Sequence, residues 1–228
     1  MVRSTTVNPE NSYSAGNKKC NGIMSVKVVA ALPTRGLIYA RTITSMLENG
    51  LTEYVIVEGL PIPTSHNTAI KKALALNPTH VFLIEEDIYL PPGTLQRMLA
   101  VDAPVVFVNY PVLDTGTGTG TVYSKHGQVW HGPTGCALVK REVFSQMKYP
   151  WLETQYSFDA RDWKMMNIPN KYGGQDIHWG YKLRKLGIEM KQVTNWQAQH
   201  LRCAQLARIE NNNGCYDIRR LKPLRNTQ

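Results

Sequence analysis

The chain has 228 residues, of which 43% are apolar and 19% charged, and a formal net charge of +9. That length suits one full α/β domain, is short for two, and supplies enough apolar residues for a real core. No run of eighteen or more apolar residues occurs, which argues against a membrane-spanning helix, and residues 1–19 lack the apolar segment of a secretory signal.

Residues 1–24 are rich in Ser, Thr, Asn and Lys and read as a flexible arm. Ser25 to Leu32 is a buried strand candidate, and Pro33, Thr34, Arg35 and Gly36 turn the chain after it. Ile43, Met46 and Leu47 mark the inner face of a helix that stops at Asn49-Gly50. Tyr54 to Val57 is a second strand, ended by Glu58-Gly59. After Pro61 and Pro63, Ser65 can cap a helix whose Ala69, Ile70, Ala73 and Leu74 face inward.

The third strand, Val81 to Ile84, runs straight into Glu85, Glu86 and Asp87. Strand alternation puts Glu85 and Asp87 on one face and turns Glu86 away. Three adjacent acids repel one another unless something positive sits among them. A hard divalent cation carrying a nucleotide diphosphate would serve, because such cations prefer carboxylate and phosphate oxygens. Pro91, Pro92 and Gly93 then turn the chain into a helix with Leu95, Met98 and Leu99 inward, and Pro104 to Val108 is a fourth strand. Strand and helix alternate throughout this half, which predicts a parallel sheet whose ligand edge lies at the strand carboxyl ends.

The second half is less regular. Thr115 to Thr121, TGTGTGT, reads as a loop, and Val122 to Trp130 as a hairpin turning at His126-Gly127. His131 to Gly135 is a second loop, followed by a strand from Cys136 to Val139 and a helix near Arg141 to Met147. Tyr149 to Tyr172 is aromatic-rich and reads as a long binding loop. Gly173-Gly174-Gln175-Asp176 opens a helix with Trp179, Leu183 and Leu186 inward, Gly187 ends it, and Ile188 to Val193 is the last strand. His126, His131 and His178 read as loop or surface residues. Cys20, Cys136, Cys203 and Cys215 form no CxxC pair, so free thiols in a reducing compartment are expected. From Lys182 onward ten basic residues face only Glu189, Glu210 and Asp217, so this stretch carries seven of the nine net charges. Such asymmetry suits a polyanionic partner or a solvated basic tail.

Five landmarks occur in order: PTRG after the first strand, the acidic triplet, HGPTGCALVKREVF, GGQDIHWGYKLRKLG, and His200 in NWQAQHLR. Over roughly Ser25 to Arg202 this resembles the GT-A glycosyltransferases, especially the short type found in bacteria and their viruses. The resemblance implies an α/β fold: a Rossmann-like, mostly parallel central sheet flanked by helices. It implies a catalytic domain at 25–202, with a small acceptor-side hairpin and loop region and a basic extension at 203–228. It implies Asp87 and His200 as ligands of Mn2+ or Mg2+, and Asp176 as the catalytic base, with Gln175 replacing the usual first acid. Pro33, Thr34, Arg35, Glu58, Glu85, Glu86, Gly135 and Cys136 fall on the nucleotide-sugar side, with a UDP-sugar as the expected donor. His66-Asn67 stands where this group often has Arg-Asn.

The implied chemistry is coherent. A departing diphosphate gathers negative charge that a divalent ion stabilises, and the acceptor hydroxyl gives its proton to a carboxylate. The helix N-terminus would favour the anionic form of Asp176. Arg202, Arg208, Arg219, Arg220, Lys222 and Arg225 are the expected contacts to a polyanionic acceptor, with a hydroxymethylated pyrimidine in double-stranded DNA as first choice and a protein or glycan as the alternative. The location expected is cytoplasmic, the host cytoplasm if the chain is viral. A nucleotidyltransferase fits less well, because PTRG is too short for the glycine-rich first loop. A non-catalytic nucleic-acid-binding protein has only the basic segment in its favour.

Overall fold

The computed structural model describes residues 26–111, 121–154 and 174–201. In chain order these form β1 (Val28–Thr34), α1 (Ala40–Glu48), β2 (Tyr54–Glu58), α2 (Thr64–Ala75), β3 (His80–Ile84), β4 (Ile88–Tyr89), α3 (Thr94–Val101) and β5 (Val105–Asn109). There follow β6 (Tyr123–Lys125), β7 (Gln128–His131), β8 (Cys136–Lys140), α4 (Arg141–Gln146), α5 (Gln175–Lys185), β9 (Met190–Gln197) and β10 (Gln199–His200). The main sheet runs β2-β1-β3-β8-β5-β9. β1 is parallel to β2 and β3, and β5 is parallel to β9, while β8 lies antiparallel between β3 and β5. This is a mixed, largely parallel α/β sheet with helices on both faces.

Residue parity explains the layers, because successive strand side chains point to opposite faces. Val29, Ala31, Val81, Leu83, Val105, Phe107, Ala137 and Val139 pack on Ala69, Ile70 and Ala73 of α2, Val143 and Phe144 of α4, and Trp179 and Leu183 of α5. Ala30, Leu32, Phe82, Ile84, Val106, Val108, Cys136 and Leu138 face the other way, onto Met46 of α1, Leu95 and Met98 of α3, and Leu51. Strands covered on both faces must be apolar at consecutive positions, and that is the pattern these strands carry.

Several details depart from the sequence reading. Leu47 and Leu186 are 48% and 49% exposed, so neither belongs to an inner face. α1 instead turns Thr42, Ser45 and Met46 inward. Ser65 does not cap α2, whose N-cap is Pro63. β9 extends to Gln197 rather than ending at Val193. His131 is half-buried because α5 lies against β7, and His178, on α5 itself, is buried near Glu153. The hairpin does turn at His126-Gly127, both with positive φ (52° and 76°), as a tight two-residue turn requires. The arm at 1–24, the extension at 203–228, most of TGTGTGT and most of the long loop after Tyr149 lie outside the described residues. Among the described residues no helix is long and apolar enough to cross a membrane.

The approach of α5 to β7 depends on Gly180, where an added Cβ would stand 2.5 Å from His131 Cβ and 2.7 Å from the Trp130 carbonyl oxygen. One neighbour is backbone and cannot rotate away. Gly180→Ala is therefore expected to cost about 1–3 kcal/mol, read as a lower urea midpoint at unchanged slope. An unchanged midpoint would show that α5 can slide to make room.

Candidate active site

The acidic triplet begins where β3 stops. Pairing with β8 ends at Ile84 opposite Cys136, and only the Glu85 N–H reaches on to the Gly135 carbonyl at 3.3 Å. Strand alternation therefore does not extend into the triplet, and its three side chains go three ways. Glu86 turns into the loop after β1, accepting from Thr34 Oγ1 at 2.7 Å, the Arg35 amide at 2.8 Å and Arg35 Nε at 2.7 Å, with Arg35 Nη2 also in contact. Asp87 Oδ2 lies 3.1 Å from His200 Nε2. Glu85 Oε1 lies 3.8 Å from His66 Nε2. Burial alone would raise the Glu86 pKa; the bonds from Thr34 and Arg35 together outweigh it and hold the carboxylate below its ordinary range.

The main chain of this loop is gripped from α1. The Glu86 carbonyl accepts from Tyr39 N–H (3.0 Å) and Thr42 Oγ1 (2.9 Å), and Ser45 Oγ accepts from Leu90 N–H at 3.1 Å. Asn49 Nδ2 donates to the Leu90 carbonyl at 3.2 Å, and Asn49 Oδ1 accepts from Leu95 N–H at 3.3 Å. These bonds explain why the buried face of α1 is polar: it satisfies a loop that has left the sheet. On the other side β10 pairs antiparallel with β4, and Leu201 N–H donates to the Asp87 carbonyl at 2.7 Å, which brings His200 to Asp87.

The result is a cleft of about 190 Å3, lined by Pro33, Thr34, Arg35, Leu60, Ile62, Ser65, His66, Glu85, Glu86, Asp87 and His200. Beside it stands a partly buried polar chain at the start of α5. Thr134 donates to Asp176 Oδ1 through its hydroxyl (2.6 Å) and its amide (3.2 Å). Gln175 Nε2 donates to Thr134 Oγ1 at 3.0 Å and lies 3.4 Å from His66 Nε2. His66 Nδ1, Ser65 Oγ and Gln175 Oε1 are buried with no partner among the described residues. Buried polar atoms are ordinarily satisfied, so three orphans along one wall mark a place for water or ligand.

Asp176 behaves differently from the sequence expectation. Burial, with Glu85 adding to it, raises its pKa to about 6 against the two bonds from Thr134. Desolvation and a like charge thus outweigh the helix N-terminus that was expected to favour the anion.

The structure gathers Pro33, Thr34, Arg35, Glu85, Glu86, Asp87 and His200 around one cleft. Glu86 does not turn away from the site, because the strand has already ended. Gly135 backs directly onto it: an added Cβ would lie 2.9 Å from the Glu85 carboxyl carbon and 2.5 Å from Tyr110 Oη. The Cys136 side chain is fully buried in the core, and that burial raises its thiol pKa, so its side chain does not line the cleft. Glu58 pairs with Thr34 across β1 and β2 and stands near Gly36, outside the cleft lining. The basic candidates Arg202, Arg208, Arg219, Arg220, Lys222 and Arg225 lie outside the described residues. Sequence reasoning missed Leu60, Ile62, Ser65 and Thr134 and left His66 and Gln175 without roles. The available signals were the Ser-His-Asn start of α2 between proline turns and the HGPTG loop. Among the described residues no group of three or more His, Cys, Asp or Glu side chains could hold a metal.

No protein-family model and no curated protein matches the chain. Among solved structures, the crystal structure of A197 from STIV aligns with a TM-score of 0.55 at 16% identity, covering 77% of this chain and 85% of that one. Two others align with lower scores. A putative glucose-1-phosphate thymidylyltransferase from Bacillus anthracis in complex with a sucrose gives 0.44 at 10% identity, over 75% of this chain and 88% of that one. A putative nucleotide-diphospho-sugar transferase from Desulfovibrio desulfuricans G20 gives 0.41 at 12% identity, over 83% and 90%. The chain shares its fold with A197.

The Asp176 shift has a thermodynamic consequence. A carboxyl at about 6 in the folded chain and near 4 in the unfolded one holds its proton longer when folded. Its contribution is most favourable below the unfolded pKa and is lost as pH rises through about 6. Asp176→Asn is expected to be more stable than wild type at pH 7–8, by about 1–3 kcal/mol, and to lose that advantage toward pH 4. Urea unfolding at several pH values measures it, and a pH-independent difference would contradict the burial of this carboxylate.

Proposed function

We propose that this protein is a glycosyltransferase that binds a nucleotide-diphosphate sugar in the cleft at the end of β3 and moves the sugar to an acceptor hydroxyl. The observation that carries the reading is the convergence of Glu85, Asp87, His66 and His200 on one cleft, with the orphaned atoms of Ser65, His66 and Gln175 beside it. Carboxylates suit a metal-bound diphosphate, and neutral donors and acceptors suit sugar hydroxyls.

Asp87 and His200 offer an oxygen and an imidazole nitrogen 3.1 Å apart. Asp87 and His200 would hold Mn2+ or Mg2+ together with oxygens supplied by the substrate diphosphate. When bound, the ion supplies charge stabilisation for the departing diphosphate. The chain's residues do the rest. Glu86 holds Thr34 and Arg35 in place, so the loop after β1 is pre-shaped for the nucleotide. Asp176, at about 6, is ionised at neutral pH and accepts the proton of the acceptor hydroxyl. The acceptor oxygen forms its bond to the anomeric carbon as the bond from that carbon to the phosphate oxygen breaks, and the nucleoside diphosphate leaves.

The finer acceptor reading, a hydroxymethylated pyrimidine in DNA, rests on the charge of the C-terminal sequence alone, seven of nine net charges from Lys182 onward. If it holds, duplex affinity falls steeply with salt.

Two measurements test the main reading. Calorimetry with UDP-sugars is expected to give binding that Mn2+ strengthens at least about tenfold, with Asp87→Ala and His200→Ala each losing that increment. Equal affinity with and without Mn2+ in the wild type would sink the metal assignment. Asp176→Asn should retain donor binding, lower turnover by roughly a hundredfold or more, and erase a rise in turnover centred near pH 6. Unchanged turnover would move the base elsewhere.

A further inference from the structure

A second cleft opens where β9 leaves its register. Phe107 faces Gln192 and Asn109 faces Gln197, so Val108 alone on β5 spans Val193 to Trp196 on β9. Asn195, within this bulge, has a φ of 55°, a left-handed conformation that Asn tolerates better than most residues. The bulge is anchored rather than loose. Val193 and Ala198 are buried in the core, Trp196 Nε1 donates to Thr94 Oγ1 at 2.9 Å, and Arg97 stacks on the Trp196 ring at 4.1 Å. An anchored bulge of this size re-aims side chains.

What it aims is chemically uniform. Among the described residues, Asn109, Gln192, Asn195, Gln197 and Trp196 line a cleft of about 510 Å3. Four of the five carry primary amides, one is an indole, and none is charged. Asn109 Oδ1 accepts from Val122 N–H at 3.2 Å and Thr121 Oγ1 at 3.4 Å, which leaves its Nδ2 to donate. Gln192, Asn195 and Gln197 have no side-chain hydrogen bond among the described residues.

We propose that this cleft binds a neutral saccharide. Each primary amide pairs a donor with an acceptor, as does a sugar hydroxyl, and the indole adds apolar surface beside them. The nearest cation, Arg97, is already stacked on the Trp196 ring and the lining itself carries no charge for a phosphate-rich ligand, while a peptide would find no apolar anchor other than Trp196. The cleft also lies on the ligand edge of the sheet. Gln197 is three residues before His200, and three residues of chain span at most about 11 Å. A bound saccharide chain would therefore extend toward the donor cleft and present a hydroxyl as acceptor. This last step rests on the proposed transferase reading; saccharide binding itself does not.

The test uses the full chain and a panel of neutral oligosaccharides: maltotriose, mannotriose, cellotriose and N-acetylglucosamine trimer. Saturation-transfer NMR is read for wild type and for the double variant Gln192→Ala/Asn195→Gly, in which Gly keeps the left-handed backbone. Circular dichroism and the urea midpoint control for folding. At least one trisaccharide is expected to give transfer to its ring protons in the wild type, reduced fivefold or more in the folded variant. Silence across the panel while UDP-sugars bind would overturn this inference and leave the transferase reading standing. Saccharide binding without any nucleotide-sugar binding would support the cleft and remove the transferase reading. Equal transfer in wild type and folded variant would place the saccharide elsewhere and overturn the assignment, as would a duplex oligonucleotide, rather than the saccharides, binding in a manner that the double variant abolishes.

Discussion

Three carboxylates on consecutive residues set the terms for this fold. At an effective dielectric of about 20, unit charges 4 Å apart interact by roughly 4 kcal/mol, so a triplet left together would work against folding. The chain disperses it. β3 ends at Ile84, and the three side chains leave toward partners from three separate elements: Arg35 after β1, His66 on α2 and His200 on β10. Ending the strand exposes a loop backbone that must then be satisfied, and the polar inner face of α1 does so.

The same region leaves other groups uncompensated. Ser65 Oγ, His66 Nδ1 and Gln175 Oε1 are buried with no partner among the described residues, and Asp176 is held near 6 by burial and by Glu85. An unsatisfied buried polar atom costs about 1–3 kcal/mol, so these three need partners that the described residues do not supply. Atoms left in that condition beside an acidic cleft are what a polar ligand would complete, and the apolar packing on both faces of the sheet carries the offsetting stability.

Sheet order places the two clefts. β8 enters antiparallel between β3 and β5, so its N-terminal end, with Thr134 and Gly135 just before it, joins the carboxyl edge where the acids lie. β9 lies beyond β5 at the sheet's far side; its bulge opens the amide-lined cleft, and the short β10 after it returns to β4. One edge thus carries a charged cleft and a neutral one, linked by the few residues from Gln197 to His200.

Much of this was readable from the sequence. Consecutive apolar positions gave buried strands, Pro and Gly gave their ends, and the acid run after Ile84 marked the edge on which the cleft opens. These are local signals: periodicity reports burial, and turn residues report backbone geometry, within a few positions of themselves. His200 meets Asp87 across 113 residues and Thr134 meets Asp176 across 42, and no local pattern encodes such pairs. Local rules also misplaced Glu86, which alternation turned away, and Leu47 and Leu186, which helical spacing turned inward. The reversed β8, the bulge in β9 and the raised pKa of Asp176 were decided only by tertiary structure, because each depends on which distant segments share a neighbour, a hydrogen bond or a low-dielectric wall.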